Sequence, residues 1–238
     1  ADPGNFAAKN GKIASSLKDY LYVITGQSMN VVGSDTATYG INDGWNRLGN
    51  HLGSVDVGME VDWKEAKLLL YRQSVYEDGS LFHGNNITDG LHGISFTRKS
   101  EQGITKVVAE YLNTTSQGGS VFNQTDVNRG LDNYFNNAVY REGWTYAGKG
   151  LGTPMMTLDS ETDLTNTNAT YYDNNRVESF YVGILAKFGE NDFTFRGSLS
   201  NSIGWFGIEN IPVKKQYSFG LQWQRDRKST RLNSSHLV

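Results

Sequence analysis

The chain has 238 residues and no Cys, and its 22 Lys and Arg against 25 Asp and Glu give a formal charge of −3. An acidic balance argues against nucleic-acid binding, which draws on a basic patch or stripe, and the lack of Cys excludes disulfides and thiolate metal sites. With 27 Gly, 13 Tyr, 11 Phe, 5 Trp and only 3 Pro, and no apolar run near the ~18–20 residues of a spanning helix, the composition points to an all-β chain with polar loops.

In chain order, residues 13–26 contain Leu17, Tyr20, Leu21, Val23 and Ile24 and read as either a short helix or a strand. The first clear strand follows. Ser54, Asp56, Gly58, Glu60 and Asp62 alternate with Val55, Val57, Met59, Val61 and Trp63. Side chains of a strand point to opposite faces in turn, so this ribbon has one apolar and one polar side. Lys64 and Glu65 turn it into residues 66–76, rich in Leu and Tyr. Residues 91–99 and 104–114 form a second pair, and residues 176–188 and 193–205 a third. Residues 216–225 close the pattern, with Tyr217, Phe219, Leu221 and Trp223 on one face and Ser218, Gly220, Gln222 and Gln224 on the other.

These strands run about 9–13 residues, longer than the ~5–6 typical of soluble sheets and close to the ~9–11 of membrane strands. Short turns are expected near Lys64, Gln102 and Glu190, and long connections over residues 77–90, 115–175 and 206–215. Short turns at one end and long loops at the other are the pattern of outer-membrane barrels. The long middle segment must then hold no spanning strands or an even number, and residues 134–151 could supply an extra hairpin. The polar face is expected to carry Asp56, Glu60, Asp62, Arg72, Glu110 and Arg196, as a wet interior would. Trp63, Tyr76, Tyr111, Trp205, Tyr217 and Trp223 near strand ends suit interfacial girdles. A soluble β-sandwich also alternates apolar and polar positions, but strand length and the charged polar face favour the barrel.

Residues 226–238 resemble a translated sequencing adapter, although a polar, frayed terminus would read similarly. Without them the charge is −5, from 19 basic and 24 acidic residues. With no initiator Met or signal peptide in view, residues 1–225 are expected to be a barrel portion truncated on both sides, followed by a non-native tail.

No catalytic constellation, metal site or cofactor is expected. His51, His83 and His92 have no metal-ligand spacing and read as ordinary strand and loop residues. Glu77 and Asp78 begin a loop and read as solvated carboxylates rather than a glycosidase pair. Residues 148–152 imitate a phosphate loop without its full spacing. The Asn-x-Thr triplets at Asn86, Asn113, Asn123 and Asn168 arise readily in Asn/Thr-rich loops. Residues 129–148 differ, because they concentrate aromatic rings with amides, a carboxylate and guanidinium groups. Sugar C–H faces pack on rings, and hydroxyls need such donors and acceptors. Asp132, Asn133, Tyr134, Asn136, Arg141, Trp144 and Tyr146 are the candidate glycan contacts. The alternative is that the aromatics pack against the rim while the Asn side chains satisfy loop backbone.

Three stretches together resemble the Wzi-like capsule-assembly outer-membrane proteins in their Bacteroidetes form. They are residues 48–54 (Leu48, Gly49, Asn50, His51, Leu52, Gly53, Ser54), residues 76–80 with 89–93, and residues 132–154 with Trp144, Thr145 and Tyr146. Asn174, Asn175, Arg176 and Val177 fit as well, and the likeness runs through most of residues 45–225. The resemblance implies a non-enzymatic outer-membrane β-barrel that acts as a surface lectin. Its implied partners are capsular polysaccharide and outer-membrane lipid. A porin or other transport barrel and a secreted glycan-binding β-sandwich are the competing readings.

Overall fold

The structure is a computed structural model. It describes residues 12–13, 15–27, 29, 35–36, 38–45, 47–77, 80–122, 130–137, 139–140, 142–162 and 171–225. The expected 226–238 tail, Arg141, Asp78, Asn123 and Asn168 lie outside the described residues.

The segment that read as helix or strand is a helix, α1 (Leu17–Thr25). Its ends explain the choice. Ser16 Oγ accepts from the Asp19 amide (3.2 Å) and Asp19 Oδ2 accepts from the Ser16 amide (2.7 Å), a reciprocal capping box. Gly26 ends the helix at φ 61, in the left-handed region that favours glycine. The Tyr39 hydroxyl donates to Asp19 Oδ1 at 2.7 Å, above a small cluster of Met29, Tyr39 and Leu48. Burial by itself would raise Asp19, but the bonds from Ser16 and Tyr39 outweigh it and hold the carboxyl below its ordinary value. A short helix, α2 (Ile41–Trp45), completes this lobe.

Seven long strands follow: β1 (Leu52–Asp62), β2 (Ala66–Glu77), β3 (Gly90–Arg98), β4 (Gly103–Asn113), β9 (Arg176–Phe188), β10 (Asn191–Trp205) and β11 (Ile208–Arg225). Helix α3 (Ser80–His83) lies between β2 and β3. Between β4 and β9 come only short strands, β5 (Thr145–Tyr146), β6 (Lys149–Gly150), β7 (Thr157–Leu158) and β8 (Tyr172–Asn174). The long strands pair in the order β1-β2-β3-β4-β9-β10-β11, every pair antiparallel, so the expected all-β antiparallel meander is what the chain forms.

Register assigns every strand residue to a face. Directly opposed residues share a side, so Met59, Leu70, Ile94, Ala109, Val182, Gly197 and Phe219 form one cross-strand row. Val61, Leu68, Phe96, Val107, Ile184, Phe195 and Leu221 form the next. Among the described residues these side chains have no protein layer over them; Phe219 and Leu221 are 71% and 75% exposed. The opposite face carries Glu60, Tyr71, Glu110, Arg196 and Gln222. Its charges are partly matched, with Lys67 Nζ 3.0 Å from Glu60 and Lys99 Nζ 2.6 Å from Asp62.

Three expectations change. Residues 206–215 are not a long loop: Phe206 and Gly207 form a tight turn, with Gly207 at φ 89, and β11 runs 18 residues from Ile208. The ladder passes from Ser202 opposite Lys214 to Gly204 opposite Glu209, so a large bulge over residues 210–213, which include Pro212, absorbs the stretch that read as loop. Arg72 lies on the apolar face, not the polar one, because it opposes Val57 and His92. The run Leu68, Leu69, Leu70, Tyr71 hides the alternation of β2, and only pairing resolves it. Residues 134–151 add no spanning hairpin, since β5 and β6 pair through two residues each and β4 pairs directly with β9.

On the polar face the Tyr71 hydroxyl donates to Glu110 across two strands, with its ring lying over Gly93. A Cβ on Gly93 would sit 2.0 Å from that ring. Gly93→Ala should therefore cost about 1–3 kcal/mol by overpacking, read as a lower thermal midpoint of the purified protein. Adding Tyr71→Ala should recover most of the Gly93→Ala loss, and strict additivity of the two would contradict this packing.

Candidate functional site

At the end of the sheet where β1, β3 and β9 begin, the polar face becomes apolar. Leu52, Val75, Leu91, Leu112 and Val177 occupy polar-face positions there by register. Onto them pack Tyr134, Phe135, Met155, Met156, Leu158 and Tyr172 from the segment between β4 and β9, forming the principal core of the molecule. The long middle connection is thus folded down over the polar face at one end of the sheet. All three turns at the other end are short.

A polar network fixes this loop assembly. Asp89, at the entry to β3, is fully buried. Its carboxylate accepts from the Ser116 amide (3.0 Å), the Gln117 amide (2.6 Å) and the Tyr134 hydroxyl (2.9 Å). The Asn86 amide group donates to Tyr134 Oη and to Asp132 Oδ2, the latter at 2.8 Å. Asn175 donates to Asn133 Oδ1 and, at 2.8 Å, to the Tyr134 carbonyl, while Gln117 Nε2 donates to the Asn175 carbonyl at 3.1 Å. Thr114 Oγ1 also donates to the Asn175 carbonyl (2.8 Å) and accepts from the Val177 amide (3.0 Å). Buried polar groups are costly unless bonded, and here the partners come from chain positions 27 to 63 residues apart.

Burial pushes Asp89 above the ordinary carboxyl value of 3.8, against the bonds from Gln117, Ser116 and Tyr134 and the nearby Arg176 charge, which oppose the shift. Burial and the Asp89 charge together push the Tyr134 hydroxyl upward. A second link joins the assembly to the N-terminal lobe: Tyr140 Oη accepts from the Gly49 amide (2.9 Å) and donates to Asp43 Oδ2 (3.2 Å). Burial raises Tyr140 to about 12, with the Asp43 charge adding to the shift.

The candidate glycan contacts divide under this geometry. Tyr134 has 0% exposure and Asn136 is buried, its side chain paired reciprocally with the backbone of Tyr172 at 2.9 and 3.0 Å. Asp132 and Asn133 are half-buried and held by Asn86, Asn136 and Asn175. Trp144 is half-buried, and its carbonyl accepts from the Tyr172 hydroxyl at 2.9 Å. Tyr146 is 76% exposed on the β5–β6 hairpin, whose turn residues Ala147 and Gly148 both have positive φ (49 and 72), a tight hairpin turn. The residues 148–152 that imitated a phosphate loop belong to this hairpin and its exit. Glu77 is no solvated carboxylate, since its Oε2 accepts from the Asn133 amide at 3.0 Å. Asn86 is buried and Asn113 caps its own turn by accepting from Thr115, so both Asn-x-Thr triplets serve loop structure.

Asp89, Gln117, Tyr172 and Asn175 were not among the candidates. Asp89 and Asn175 each stand immediately before a strand start, and nothing local marks their convergence. Among the described residues no group of three or more His, Asp or Glu could hold a metal ion, and no helix is long and apolar enough to cross a membrane.

The class these features define is an open, two-faced antiparallel meander with long strands and one end of its polar face filled by its own loops. The family model for the capsule assembly protein Wzi matches residues 10–182, and the chain belongs to that family. The matched span covers the N-terminal lobe, β1 to β4 and the loop assembly, and ends within β9. No curated protein and no solved structure matches.

Asp89→Asn should leave a buried site short of its charge-assisted acceptor and loosen the loop assembly by about 1–3 kcal/mol. Hydrogen exchange at the Ser116 and Gln117 amides should accelerate accordingly. Because folding raises Asp89, the native state holds its proton more tightly than the unfolded chain. Its contribution to stability therefore grows as pH falls through the folded value and levels off below 3.8. In Asp89→Asn that acid-side gain should vanish from the unfolding profile.

Proposed function

We propose that the chain forms part of a transmembrane outer-membrane β-barrel that binds and organises capsular polysaccharide at the cell surface without catalysis. The observation that carries this reading is the exposed apolar band. It spans seven strands with no covering layer among the described residues, and in water such an area marks a surface awaiting an apolar medium. From Tyr217 to Trp223 it extends about 20 Å along β11 at ~3.3 Å per residue. Tyr111 and Tyr217 border it toward the loops, and Trp63 and Trp223 toward the turns, as interfacial aromatics do. Family membership supports the role in capsule assembly.

The strand order constrains how such a barrel would close. The sheet's outer strands β1 and β11 are first and seventh in the meander, so they run in the same direction. Joining them directly would place two parallel strands at the seam. An antiparallel barrel therefore needs an odd number of further strands between them.

The long-loop end would face outward, and the loop assembly would occupy the mouth. Polysaccharide would then meet the assembly's outer surface, where Tyr146 stands exposed with Trp144 beside it, while Asp132, Asn133, Tyr134 and Asn136 hold that surface rigid. Arg141 stays among the proposed contacts on its chemistry alone. In a strain lacking the gene, the wild-type protein should restore cell-bound capsule. A Trp144→Ala/Tyr146→Ala variant that reaches the outer membrane should shed several-fold more. Equal retention by variant and wild type would overturn the binding surface.

A transport barrel would present the same two faces, and the loop assembly is the observation that separates them. Conductance of the full-length protein in planar bilayers should be close to silent, because side chains fill one end of the polar face. Sustained open currents would favour transport.

A further inference from the structure

We propose that the apolar face carries a binding site for a phosphate-bearing lipid, headed by Arg72 and His92; this rests on the membrane reading above. The two residues oppose each other across β2 and β3, which places their Cβ atoms about 5 Å apart on one side of the sheet. Their row continues through Tyr111, Phe180, Leu199 and Tyr217 and is the last apolar row before the loops. The row beyond it, apart from Val55 on β1, is polar, with Ser74, Asn113, Glu178, Asn201 and Lys215. Arg72 and His92 thus stand at the level where acyl chains give way to head groups.

A cation on a lipid-facing strand costs roughly 2–4 kcal/mol at the bilayer midplane and about 0–1 near the interface, so this height tolerates one and its chemistry can be used. The Arg72 side chain is aimed toward the loops: Nε donates to Ser74 Oγ at 3.1 Å, and Nη2 donates to the Ile87 carbonyl. That leaves Nη1 to donate, and the exposed His92 imidazole is a second donor in either protonation state. Paired donors with a fixed guanidinium suit phosphate oxygens. Directly below, Met59, Leu70, Ile94, Ala109 and Phe180 line a shallow apolar depression continuous with Arg72 and His92. Ala109 makes its floor low, and an acyl chain could lie there. The nearest carboxylate on this face, Glu178, is turned to the Tyr111 hydroxyl and to Asn201 Nδ2 (3.4 and 3.3 Å). A cationic head over an apolar groove is complementary to an anionic lipid of the outer leaflet.

The test is native mass spectrometry of the full-length protein in detergent with lipid A, dephosphorylated lipid A or phosphatidylcholine. Wild type should retain lipid A, and loss of the lipid's phosphates or of both donor side chains (Arg72→Gln with His92→Phe) should weaken retention at least about tenfold. Arg72→Lys should keep much of it, and inorganic phosphate should not displace it. His92→Phe alone should show a partial loss, which keeps the test open if the double variant misfolds. Retention of lipid A by the folded variants equal to wild type, or equal retention of all three lipids, would overturn the site. Failure to insert into any vesicle would overturn the membrane reading itself; insertion without lipid A preference would overturn only the site.

Discussion

Cross-strand register is the constraint on which the rest of this structure depends. One residue of slip in any strand would move its whole apolar set to the other face. The seven long strands keep their sets aligned, apart from shifts near Ile104 and Ser202. The result is a sheet with two different surroundings built into it. Small and polar residues on one side leave room for the Tyr71 bond to Glu110, and aliphatic and aromatic residues on the other have no described residue layered over them. Short turns cluster at one end because hairpins hold register; everything elaborate happens at the other.

At that other end the sheet and its loops depend on each other. Leu91, Leu112 and Val177 would be misplaced on a wet inner wall, and they make sense only under Tyr134, Met156 and Tyr172. The loop segment in turn has few regular backbone partners of its own. Asp89, Asn175 and Asn136 supply them, so side chains do what a strand ladder does elsewhere. A carboxylate buried for this purpose carries a desolvation penalty, visible in the upward shift of Asp89. The arrangement holds a long connection in one shape, as the proposed recognition of polysaccharide would require.

The sheet was legible in the sequence because alternation is a local signal, written within each strand. β1, β4, β9 and β10 fall within about two residues of the expected spans. It failed where the local signal was ambiguous: four successive apolar residues concealed the parity of Arg72, and a bulge in β11 that contains Pro212 looked like a loop. The loop block from Asp132 to Tyr146 drew attention by composition, but composition cannot separate a ring that packs inward from one that faces out. Tyr134 and Tyr146 lie twelve residues apart and occupy opposite extremes of exposure. That difference is decided by Asp89, Asn86 and Tyr172, distant partners that no spacing rule connects.

The central claim is that the two faces of the sheet meet different media, lipid outside and a polar interior within. The chain has no Cys, so single cysteines can be placed in turn from Tyr217 to Gln224 and labelled after reconstitution of the full-length protein. Accessibility to a lipid-phase quencher and to an aqueous one should alternate with a period of two. Tyr217, Phe219, Leu221 and Trp223 should respond to the lipid quencher and Ser218, Gly220, Gln222 and Gln224 to the aqueous one. Uniform aqueous access at both sets would contradict the account.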